Sequence, residues 1–120
     1  MIRFCHQKLL VSDLERAIAF YEEQFELKVL ARMTSGGGEK MAWLGYGGAG
    51  DFFLELGEGT PAPGGQHIAF VTDARNEFHR RHAPWIDSEV PELGIYFLHD
   101  CDGNAIEVMP AAAVKALGGQ

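Results

Sequence analysis

The spacing of apolar positions changes along the chain, and each change predicts an element. Ile2 to Val11 is rich in β-formers and predicts a strand. Ser12-Asp13-Leu14-Glu15 follows with the form of a capping box, in which Ser12 satisfies an orphan amide and Glu15 reaches back. Leu14, Ala17, Ile18, Tyr21 and Phe25 then recur at spacings of three and four, with Glu15, Arg16, Glu22 and Glu23 off that face. This predicts a helix ending near Glu26. Three runs of β-formers come next, over 28–33, 40–46 and 51–56, separated by glycine turns at 36–38 and 45–50. Beyond the Pro/Gly linker 60–65, His67 to Thr72 predicts a strand, and Asp73 is placed to cap a helix of about ten residues that ends near Ala83-Pro84. Strands are predicted over 85–87, 94–99 and 104–109, and a short frayed helix without evident chemistry over 111–120.

The order β-α-β-β-β therefore occurs twice. With an offset of 60, Val11-Ser12-Asp13 falls on Val71-Thr72-Asp73 and Ile18 on Phe78, a weak internal repeat at the same strand-to-helix junction. An α+β fold of two βαβββ modules is expected, forming one domain over 1–120: module 1 about 1–60, module 2 about 64–110 and a tail at 111–120. The length of 120 residues excludes two large domains. The balance of 10 Lys+Arg against 17 Asp+Glu, with no basic run, argues against nucleic acid and anionic membranes as partners. Two cysteines, Cys5 and Cys101, have neither finger spacing nor the density of a disulfide framework. With no apolar run of membrane-spanning length and no long apolar stretch near residue 1, a cytoplasmic protein is expected. Alternation turns Cys5 away from its neighbour His6, so Cys5 is expected to be a buried, inert thiol.

Four polar side chains stand out against this pattern. In the run 52–56, Phe52, Leu54 and Leu56 share one face, and Phe53 and Glu55 share the other. In the run 104–109, Ile106 and Val108 share one face, and Ala105, Glu107 and Met109 the opposite one. Each glutamate is thus a carboxylate among large apolar neighbours. His6 and His67 begin the matching strands, so each half carries a histidine in its first strand and a glutamate in its last. Imidazole with carboxylate suits a divalent first-row metal. His79, His82 and His99 are assigned structural or surface roles, since two belong to a helix and its end and one closes a strand.

These residues resemble the vicinal-oxygen-chelate superfamily, and within it the glyoxalase I (lactoylglutathione lyase) group, over about residues 4 to 110. The landmarks are His6 followed by Val11-Ser12-Asp13-Leu14-Glu15-Arg16-Ala17-Ile18-Ala19-Phe20-Tyr21, then Ala42-Trp43-Leu44-Gly45-Tyr46-Gly47 leading to Leu54-Glu55-Leu56. Gln66-His67-Ile68-Ala69-Phe70, Gly94-Ile95-Tyr96-Phe97-Leu98 and Asp100 to Glu107 complete them. The resemblance implies a cupped sheet completed in a homodimer, with His6 and Glu55 of one chain meeting His67 and Glu107 of the other around nickel or cobalt, or zinc. It further implies isomerisation of an α-ketoaldehyde hemithioacetal, with Glu107 as base and Glu55 as its partner. Lys8, Leu10, Trp43, Phe53 and Met109 are the expected substrate-binding neighbours.

Several positions depart from the glutathione-using pattern. Leu10 and Gly59 stand where arginine and asparagine are usual, and the segment 88–93, usually basic, is acidic. Lys8 is one cation that could compensate. Cys101 replaces a usual proline, and Glu26 a usual glycine. Two alternatives therefore stand beside the lyase: another metal-dependent enzyme of the superfamily (epimerase, thiol transferase or dioxygenase type), or a non-catalytic binder of small apolar molecules.

Overall fold

The apolar stripe of the first helix and the alternate positions of four strands meet in the first of two units. A computed structural model describes residues 1–48 and 50–118, and the chain divides into units Met1–Ala62 and Pro63–Gln120. The first unit runs β1 (His6–Val11), α1 (Leu14–Phe25), β2 (Lys28–Thr34), β3 (Lys40–Gly45) and β4 (Phe53–Glu58). Its sheet has the order β1-β4-β3-β2, with β1 and β4 parallel and the other pairs antiparallel. Helix α1 packs on β3 and β4. Leu14, Ala17, Ile18, Tyr21 and Phe25 are buried, as are Leu9, Val11, Ala42, Leu44, Leu54 and Leu56 from the strands. Burial of each large aliphatic or aromatic side chain contributes about 1.5–3 kcal/mol.

The second unit repeats the plan: β5 (His67–Thr72), α2 (Arg75–His82), a 3-10 turn (Ala83–Trp85), β6 (Ile86–Val90), β7 (Ile95–His99), β8 (Ala105–Pro110) and α3 (Ala111–Ala116). The sheet order is β5-β8-β7-β6, again with a parallel first pair. The fold is thus the α+β arrangement of two βαβββ modules that the repeat predicts. In this unit the one buried residue of α2 is His82, whose Nδ1 lies 2.7 Å from the hydroxyl of Tyr96, also fully buried. The turn between β7 and β8 is closed by buried Asp100, whose carboxylate accepts the amides of Asp102 and Asn104 and the side-chain amide of Asn104.

Several local expectations are corrected. β1 begins at His6, not Ile2, because β4 starts at Phe53 opposite His6 and, apart from the Phe53 amide that donates to the Cys5 carbonyl, offers the preceding residues no ladder. Cys5 is consequently exposed rather than buried. The cap of α1 is Asp13, which accepts the Arg16 amide, while the Leu14 amide goes to Glu58; Ser12 accepts from the Arg16 guanidinium and Glu15 pairs with Arg32. In the second unit Ala74 is the cap residue, its amide donating to the Thr72 hydroxyl, and Asp73 makes no cap. Helix α2 has 8 residues rather than ten, the strand expected over 85–87 is Ile86–Val90, and the one expected over 51–56 is Phe53–Glu58. The helix expected over 111–120 is Ala111–Ala116; positions 119–120 of that expectation, and position 49 of the turn expected over 45–50, lie outside the described residues.

Candidate functional site

Parallel pairing of the first and last strand of each unit brings the four singled-out residues together two by two. In the first unit His6 pairs with Phe53 and Lys8 with Glu55; in the second His67 pairs with Ala105 and Ala69 with Glu107. Each glutamate thus sits diagonally from its histidine at the same offset. Leu54 and Leu56 of β4, and Ile106 and Val108 of β8, are buried, so Glu55 and Glu107 belong to the opposite faces of their sheets.

His6 Nε2 lies 3.7 Å from Glu55 Oε1, and His67 Nε2 lies 3.1 Å from Glu107 Oε1. The two carboxylates have side-chain exposures of 13% and 15%, against 36% and 47% for their histidines. Each unit thus sets a largely covered carboxylate beside a more open imidazole, donor types suited to a divalent ion. Among the described residues, no group of three or more His, Cys, Asp or Glu side chains is gathered tightly enough to hold an ion, and each unit supplies a pair.

The surroundings of the pairs differ. The His6 ring stacks on Phe53 at 5.0 Å and faces Trp43 at 6.3 Å, while the Trp43 indole N–H donates to Glu55 Oε1 at 2.9 Å. The His67 ring meets Phe97 edge-on at 5.7 Å. Lys8 shares the face of His6, and its ammonium is held by Glu39 at 2.8 Å. Leu10 is half-buried on the same alternation, and Met109 is half-buried on that of Glu107. The acidic stretch is partly neutralised: Glu89 lies on β6 and is paired with both Arg75 and His79. His79, His82 and His99 take structural contacts, with Glu89, Tyr96 and Asp87 respectively.

Glu39 and Phe97 are neighbours of the site that sequence reasoning missed. Phe97 was discoverable: Trp43 faces Glu55 across the β3–β4 hairpin, and Phe97 faces Glu107 across the equivalent hairpin β7–β8. Nothing in the local sequence marks Glu39 as the partner of Lys8.

Repeated βαβββ units, each with a His-Glu pair on the sheet face away from its buried core, define a protein of the vicinal-oxygen-chelate type. The family model described as Glyoxalase/Bleomycin resistance protein/Dioxygenase superfamily matches residues 3–83, and the chain belongs to that superfamily. It is 30% identical over 119 residues to the uncharacterized protein YwbC of Bacillus subtilis (strain 168), covering 88% of this chain and 94% of that one. Among solved structures it is similar to the trypanothione-dependent glyoxalase I of Leishmania major, with a TM-score of 0.84, 27% identity and coverage of 98% of this chain and 92% of that one. It also shares its fold with a mutant of the fosfomycin resistance protein FosX of Listeria monocytogenes, complexed with Mn(II), with a TM-score of 0.74, 22% identity and coverage of 91% and 93%.

Proposed function

We propose that this protein is a metal-dependent lyase/isomerase of the glyoxalase I type, converting the hemithioacetal of methylglyoxal and a thiol into a 2-hydroxyacyl thioester. The observation that carries the reading is the recurrence, in both units, of a largely covered glutamate beside a histidine at the same strand register. His6, Glu55, His67 and Glu107 would hold the ion, nickel or cobalt or else zinc, in a homodimer where the pair from one protomer joins the second pair from its partner. When bound, the ion supplies Lewis acidity, which acidifies the C1 proton of the substrate and stabilises negative charge on its two adjacent oxygens.

The remaining work belongs to the side chains. Glu107 would take the C1 proton and return a proton to C2, while the proton of the C1 hydroxyl passes to the C2 oxygen; the C1 hydroxyl thus becomes the thioester carbonyl and the C2 carbonyl a hydroxyl, with no net redox change. Phe53, Trp43 and Met109 supply apolar surface for the small α-ketoaldehyde portion and keep water from the reacting carbons. The similarity to the Leishmania enzyme supports a thiol co-substrate.

Protein loaded with nickel, cobalt or zinc is expected to form the thioester from methylglyoxal and glutathione or another small thiol, followed by ultraviolet absorbance. Glu107→Gln is expected to lower kcat by about a hundredfold or more, the usual range for a proton-transfer group. Absence of turnover with every thiol tried rules the reading out. A second reading, another metal-dependent reaction of the superfamily, is favoured by one feature: Leu10 and Gly59 leave no cation or amide where glutathione-using relatives carry them. A thiol-independent substrate found by metabolite screening would establish it.

A further inference from the structure

The two candidate carboxylates occupy equivalent positions but are held differently. Trp43 is the register partner of Glu55 across the β3–β4 hairpin, and Phe97 is the register partner of Glu107 across β7–β8. The indole N–H of Trp43 donates to Glu55 Oε1 at 2.9 Å. Phe97 has no donor to offer. We propose that Trp43 is a positioning residue that fixes Glu55 as a permanent ligand, and that the apolar Phe97 leaves Glu107 free to leave the ion and carry the proton. This deepens, and rests on, the metal-dependent reading above.

The physical argument starts from the bond itself. A hydrogen bond to an ionised carboxylate is roughly twice as strong as one between neutral groups. Here its donor cannot follow a moving acceptor, because the Trp43 ring is packed against Phe53 at 4.6 Å and faces His6 at 6.3 Å. Oε1 of Glu55 also carries the contact to His6, so Oε2 is the oxygen left for an ion. Rotating Glu55 away would break the indole bond of a carboxylate that is only 13% exposed. Glu107 has no such tether. Among the described residues its polar contact is to His67, itself a proposed ligand, and that contact is given up once the imidazole nitrogen turns to an ion. A base that must visit two neighbouring carbons needs this freedom, and a ligand that anchors the ion needs the opposite.

The test uses two substitutions in the full-length protein, Trp43→Phe and Phe97→Trp. Zinc affinity is measured by competition with a chromophoric chelator, independently of activity. Trp43→Phe is expected to weaken zinc binding by about tenfold or more, the usual cost of losing an outer-shell partner. Phe97→Trp, which supplies Glu107 with a donor, is expected to leave zinc affinity within about threefold of wild type and to lower kcat by about tenfold with little change in KM. Should Trp43→Phe misfold by circular dichroism, the isosteric sulfur analogue of tryptophan, benzothienylalanine, at position 43 removes the N–H without changing ring size.

Unchanged zinc affinity in a folded variant lacking the indole N–H overturns the proposal, as does a Phe97→Trp variant with wild-type kcat. Wild-type protein that binds no divalent ion overturns both this assignment and the metal-dependent reading. If the ion binds but no thiol supports turnover, the reaction reading falls, and the affinity of the position-43 variants still decides the role of Trp43.

Discussion

The two units share strand order, parallel closure and the register of their donor pairs, yet they fasten their helices in opposite ways. Helix α1 buries the five apolar residues of its stripe, Leu14, Ala17, Ile18, Tyr21 and Phe25, and Phe20 beside them. Helix α2, with the sequence RNEFHRRH, buries only His82 and answers it with a tyrosine hydroxyl. Phe78 lies half-buried beside it with the Arg81 guanidinium over its ring at 4.6 Å. Helix α1 is held by apolar area, which tolerates small displacements; helix α2 leans on a directional bond, which does not. The same topology can therefore be stabilised by different physics, provided that the residues aimed at the donor face keep their places.

That contrast can be broken from either side. The largest expected effect is in the first unit: Tyr21→Ala removes a fully buried ring that touches Phe20 and Phe25, and should cost about 3–5 kcal/mol in urea-induced unfolding. Tyr96→Phe in the second unit changes almost no volume but takes the hydroxyl from His82 Nδ1. It should cost about 1–3 kcal/mol, with faster amide hydrogen exchange in β7 than in β3.

A pH series sharpens the same point. Burial raises the pKa of the Tyr96 hydroxyl well above the ordinary tyrosine value, with Arg75 and Arg81 opposing the shift; burial and then Glu26 raise that of Tyr46 more modestly. Both groups hold their protons more tightly in the folded chain than in the unfolded one. The stability they contribute is therefore whole below about pH 10 and is lost as pH rises through the raised folded values. Thermal melts taken upward from pH 9 should fall in midpoint, and Tyr96→Phe should flatten that fall more than Tyr46→Phe. The smallest effect, of opposite sign, is at the end of α1. Glu26 holds a left-handed conformation with φ 60°, so Glu26→Gly should gain about 0.5–1 kcal/mol in the same urea assay.

The sequence was most legible where one physical rule acted alone. Leu14 to Phe25 carries a single helical period over a long enough stretch to be unambiguous, and all five stripe residues are buried. Alternation in β4 and β8 correctly separated Glu55 and Glu107 from their buried neighbours. Legibility failed where distant chain decided a local competition. Ser12 and Asp13 are both good caps, and the Leu14 amide that a Ser12 cap would use is taken by Glu58, 44 residues away. Ile2 to Phe4 have strand composition, but a strand needs a partner, and β4 begins too late to pair with them. That each histidine lies beside the glutamate of its own unit was foreseeable from strand position, whereas the Trp43 bond to Glu55 required the hairpin register.

Parallel closure has a further consequence, in the order of events during folding. Each His-Glu pair joins the first strand of a unit to its last, and His67 and Glu107 are separated by 40 residues of chain. Closing so long a loop is entropically costly, and pairings of this kind form late, after the hairpins and the helix have condensed. A nascent or partly folded chain thus presents a lone imidazole or a lone carboxylate, never the two side by side. On the metal-dependent reading proposed above, a stray cation would meet no His-Glu pair before the parallel strands close.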